Sequence, residues 1–96
     1  MPSYRVTVPV GNLRAGVAPE GVLPAAADAA GALMTVEARD VAIVRGEALV
    51  RVRFAADDDG DADHVAARVT AAVRRRATAG QARLECRAGS RWRRVR

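Results

Sequence analysis

Few side chains in this sequence could carry a reaction. His64 is its only histidine, Cys86 its only cysteine, and the two serines, Ser3 and Ser90, lie close to either end. Nucleophilic catalysis needs a nucleophile, a base and a group that orients the base, all within hydrogen-bond reach. No such set can be assembled from these residues. His64 falls in the first turn of an expected helix, on the side away from Val65 and Val69, and reads as an exposed histidine without the partner that acid-base work requires. Cys86 shares the inward phase of Leu84, so a buried, inert thiol is expected rather than a nucleophile activated by neighbouring arginines. A single cysteine also excludes an internal disulfide and thiolate-rich metal sites.

Two stretches approach ligand loops without completing them. Gly11 and Gly16 stand at the spacing of glycines in a phosphate-binding loop, but Val17 and Ala18 occupy the places where that chemistry needs a lysine and a hydroxyl. A looser arrangement has Asn12 and Arg14 holding a carboxylate or phosphate near the start of the first helix; its alternative is a purely structural loop. Asp57-Asp58-Asp59-Gly60-Asp61 has the carboxylate density of a calcium loop. In that register, however, the first and twelfth ligands would be Ala55 and Ala66, which offer no side-chain oxygen. It reads as a solvated acidic loop ending in a helix cap, with Asp61 or Asp63 accepting from the first-turn amides. No catalytic residue, metal ligand or cofactor is assigned.

What remains is charge. All sixteen basic residues are arginine and the formal net charge is +5. Residues 64–96 carry ten arginines against Glu85 alone, so the C-terminal third attracts anions over a range of about 8 Å in physiological salt. A GC-rich coding sequence explains the bias towards arginine, alanine and valine more simply than selection for guanidinium chemistry. Half of the 96 residues are hydrophobic, most of them alanine or valine, which makes for one domain with a lean core. Burial contributes roughly 25 cal/mol per Å², and a core this lean gains from further burial against a second copy. No apolar run approaches the roughly 20 residues that span a bilayer, and no signal-type apolar core opens the chain. The expectation is a cytoplasmic protein with no membrane partner.

The periodicity of the side chains supplies the elements. Tyr4, Val6, Val8 and Val10 alternate with polar residues as a strand whose paired part should stop near Val8, because Pro9 cannot donate to a ladder. A long connection over 11–21 leads to a helix over about Val22 to Met34, with Val22, Ala26, Ala30, Leu33 and Met34 as its apolar stripe. Two strands between Thr35 and Phe54 are joined by a turn at Arg45-Gly46-Glu47. In the first of them Val36 and Ala38 are out of step with Val41 and Ile43, which points to a bulge near Asp40 or to partial burial of both faces. Val65, Val69, Ala72 and Val73 mark a second helix, and Ala82, Leu84 and Cys86 a fourth strand. Residues 88–96 form either a short fifth strand or a basic tail.

That order, β-α-β-β-α-β, predicts a single α+β domain of the ferredoxin-like kind: an antiparallel four-stranded sheet of order 4-1-3-2 with both helices on one face. The opposite face would then present Arg5, Arg39, Arg51, Arg53, Arg83 and Arg87, with Trp92 and Arg93 beside them. The fold hosts many functions and selects none. The leading expectation is a small non-enzymatic binding or assembly protein, a homodimer or the partner of another protein, that associates through its sheet face or an edge strand. One alternative is an RNA- or DNA-binding module that uses the arginine-rich face and the C-terminal segment. Base-stacking aromatics are missing from the outward phase of the four strand runs, and Trp92 supplies one ring at most. The other alternative is a ligand-binding protein or cofactor-free enzyme with a pocket under the 11–21 loop.

Overall fold

The computed structural model describes residues 1–96. The elements run β1 (Ser3–Leu13), α1 (Val22–Gly31), β2 (Val36–Val44), β3 (Glu47–Ala55), α2 (Asp59–Arg74), β4 (Ala77–Ala79), β5 (Arg83–Ala88) and β6 (Arg91–Arg94), with a 3-10 turn at Pro19–Gly21 leading into α1. All strand pairs are antiparallel, and the sheet has the order β2-β3-β1-β5-β6, with β4 also paired to β1. The expected four-stranded ferredoxin-like sheet is thus corrected to a six-stranded one.

The reason lies in β1. This strand does not stop at Val8 but pairs with β3 as far as Val10 and continues to Leu13. On its other side β5 covers only Tyr4 to Thr7, which would leave the far half without partners for its backbone groups. The three residues of β4 fill that gap, pairing Val10 with Ala79 and Leu13 with Ala77. Pro9 sits where the partner changes. Its carbonyl accepts from the Gly80 amide at 2.9 Å, and its missing N–H would have pointed to that same junction, where no ladder bond is needed. A methyl group at Gly11 would collide with Thr78 Oγ1, so the close approach of β1 and β4 requires glycine there.

Both helices cover one face of the sheet. Val6, Val8, Val50, Val52, Phe54 and Leu84 form one core with Val22, Ala26 and Ala30 of α1 and Val65, Val69 and Val73 of α2. Alanine on α1 lets that helix lie close to the sheet, so small residues still exclude water. No polar or charged residue is buried. Tyr4 stacks on Phe54 with ring centroids 6.0 Å apart and donates its hydroxyl to Asp59 Oδ1 at 2.8 Å. Burial, then that bond to Asp59, pushes the tyrosine's ionisation well above its ordinary range.

Local chemistry sets the ends of the elements. The hairpin turn is the two-residue loop Arg45-Gly46, flanked by the pair Val44 and Glu47, and both loop residues have positive φ. The helix α1 ends at Gly31, three residues short of the expected limit. The acidic stretch enters α2 earlier than expected: the N-cap is Asp58, whose Oδ1 accepts from the Asp61 amide at 2.8 Å, while Asp61 and Asp63 lie inside the helix. Asp58→Ala should therefore cost about 1 kcal/mol and Asp61→Asn a few tenths, measured by urea denaturation. Equal costs would contradict this assignment of the cap.

Candidate functional site

The open face of the sheet carries most of the arginines the sequence singled out, and acids hold three of them. Arg5 reaches Glu85 across the β1–β5 pair, with Nη2 at 2.9 Å from Oε1. Arg51 makes a two-pronged contact with Asp40 on β2, Nε to Oδ1 at 2.7 Å and Nη2 to Oδ2 at 2.6 Å. Arg53 Nε lies 3.0 Å from Glu37 Oε1, which also accepts from Ser3 Oγ at 2.8 Å. The guanidinium hydrogen bonds hold the Asp40 carboxyl below its ordinary range. Trp92 comes onto this face from β6, and Arg5 lies over its ring, 4.4 Å from the centroid, with Arg53 at 5.6 Å. Arg5, Arg39, Asp40, Arg51, Arg53 and Trp92 line a cavity of about 210 Å³. Ring and guanidinium groups are thus committed to one another.

Two of the expected surface residues fall out of the outward phase. The bulge in β2 falls between Val36 and Ala38, slightly before Asp40, and sets Arg39 opposite the buried Val52, in the helix-side phase. Arg93 is paired with Cys86, on the same side, and its Nη2 lies 3.7 Å from Asp59 Oδ1. Arg83 and Arg87 stay in the outward phase and are exposed; Arg87 Nε donates to the Gly89 carbonyl at 2.9 Å.

Asn12 and Arg14 serve the fold as well. The Asn12 backbone N–H donates to Thr78 Oγ1 at 2.9 Å. Arg14 donates its backbone N–H to the Arg76 carbonyl at 2.8 Å and its Nε to the Arg74 carbonyl at 2.7 Å, so a cation closes the C-terminal end of α2 where the helix dipole favours one. His64 is exposed and Cys86 buried, on different elements.

A feature the sequence reading missed lies at the free edge of β2. Val41 (48% exposed), Ile43 (69%) and Val44 (49%) stand in water, with Leu13 nearby among the exposed large hydrophobics. Val41 also forms one wall of an apolar cleft of about 560 Å³, whose other walls include Val10, Leu13, Leu23 and Val50 beneath the segment that leads into α1. The pattern that signalled it was the alternation of Val41 and Ile43 in the core phase. The expected order 4-1-3-2 already sets β2 at an edge, but nothing in the alternation says that α1 would leave Val41 and Ile43 uncovered.

No family model, curated protein or solved structure matches this chain. No helix is long and apolar enough to cross a membrane.

The Asp40–Arg51 contact has a defined pH signature. A carboxyl whose folded pKa is lowered contributes stability above its unfolded value, about 3.9, and loses it as the pH falls through the folded value. Asp40 is half exposed, so Asp40→Asn should cost less than about 1 kcal/mol at pH 7. The gap between wild type and variant should narrow as the pH falls from the unfolded value through the folded one. A gap that widens as the pH falls below the unfolded value would contradict the pairing.

Proposed function

We propose that this protein is a small binding or assembly module that works by strand addition at the free edge of β2. The observation that carries the reading is the contrast between the two edges of the sheet. The β6 edge is four residues long, and three of them are arginine; short, charged edges repel further strands. The β2 edge is nine residues long, contains no proline, and has an apolar second half. Its only pairing partner is β3, which leaves one side of its backbone without bonds. Main-chain hydrogen bonds to an incoming strand would supply affinity, and side-chain contacts at Val41 and Ile43 would supply selectivity.

The open face supports a contact role less well. Arg5, Arg51 and Arg53 would have to give up Glu85, Asp40 and Glu37 to meet a phosphate, and the Trp92 ring would have to shed Arg5 before it could stack on a base. A photo-reactive amino acid placed singly at Ile43, Arg51 or Arg53 tests the reading in cells that express the chain. Adducts should form from position 43 and not from 51 or 53; adducts from the two face positions alone would overturn it.

A further inference from the structure

We infer that the strand added at β2 is the β2 of a second copy, antiparallel, with the two-fold axis passing through Val41. The inference rests on the proposed role of this edge and goes further, by naming the partner and the register.

The backbone comes first. In a hairpin with a two-residue loop the flanking pair, here Val44 and Glu47, exchanges both hydrogen bonds, and bonded pairs then alternate with non-bonded ones. Val44, Ala42 and Asp40 therefore direct their N–H and C=O groups to β3. Arg39, Val41 and Ile43, opposite Val52, Val50 and Ala48, direct theirs to the free edge. The same parity runs through the sheet: the Gly80 amide reaches the Pro9 carbonyl and the Ala55 amide the Thr35 carbonyl, both on odd-numbered residues of β1 and β3. The free backbone groups thus belong to the residues that include the exposed Val41 and Ile43.

Charge then selects among the registers. An antiparallel self-pair must match outward-directed residues with one another, which allows symmetry centres at Asp40, Val41 or Ala42. A centre at Asp40 sets two like carboxylates face to face. A centre at Ala42 sets Arg39 opposite the second copy's Arg45. Like charges directly opposite are destabilising. A centre at Val41 avoids both conflicts: Val41 meets its own counterpart, and Arg39 lays its aliphatic stem against Ile43. This register also places three outward-directed residues of each strand in bonded pairs, more than either alternative. The interface is isologous, and it extends the wall of the apolar cleft at Val41 with apolar atoms of the second copy.

The test uses the purified full-length chain. Sedimentation equilibrium should give a dimer whose dissociation constant rises at least tenfold on Ile43→Lys, with an unchanged circular dichroism spectrum. For the register, Asp40→Cys and Ala42→Cys chains, each also carrying Cys86→Ala, are mixed in equal amounts and oxidised. Asp40 and Ala42 are opposite one another across a Val41 axis in a non-bonded pair, where Cα atoms approach to about 4.5 Å and a disulfide fits. The mixed disulfide should predominate. Homodisulfides of either variant alone, or no disulfide, would overturn the register. A chain that stays monomeric at every concentration would overturn the second copy as partner, and photo-adducts at position 43 of another mass would then leave β2 as the contact strand.

Discussion

The central strand β1 must find a partner strand on each side for its buried backbone groups, and the rest of the molecule follows from that requirement. The strand is eleven residues long and central, so it needs β3 on one side and a relay of β5 and β4 on the other. The relay fixes where Pro9 is tolerated, why Gly11 faces Thr78, and why the chain leaving α2 forms a three-residue strand before it turns back as β5. It also fixes what lies outermost. With β1 and β3 in the centre, β2 becomes one edge and β6 the other.

Arginine has three separate uses on this scaffold. Over the open face it forms cross-strand pairs with Glu85, Asp40 and Glu37 and covers Trp92, which keeps a sheet face without helices compatible with water. At the end of α2, Arg14 holds two carbonyls that the helix leaves unsatisfied. Along β6 it defends an edge. The half of β2 beyond Asp40 has none of these devices, although it borders a cleft lined by valine and leucine. A lean core and an unguarded apolar edge both fit the proposal that the chain completes its burial against a second strand.

Much of the fold was legible because alternation reports burial directly. Val50, Val52, Phe54, Leu84 and Cys86 point into the core as their phase implies, and Arg45-Gly46 makes the turn that its glycine suggests. Other features could not be read, each for a physical reason. Three residues of β4 are too few to show a period. Asp58 and Asp61 are chemically alike, and only the path of the chain decides which one caps the helix. One residue of bulge at Val36/Ala38 puts Arg39 in the phase of the buried Val52, and pairing with Cys86 does the same for Arg93. The expected order puts β2 at an edge, but which of its residues α1 leaves in water depends on tertiary packing, and a periodic pattern carries no record of that.

Residue-resolved amide hydrogen exchange, run at two protein concentrations, tests the open β2 edge most directly. The account predicts an alternating pattern in dilute solution, with Asp40, Ala42 and Val44 protected and Arg39, Val41 and Ile43 exchanging freely. At high concentration the second set should become protected while the amides of β6 stay as they were. Protection of Arg39, Val41 and Ile43 that is already complete in dilute solution, or a concentration effect confined to β6, would contradict it.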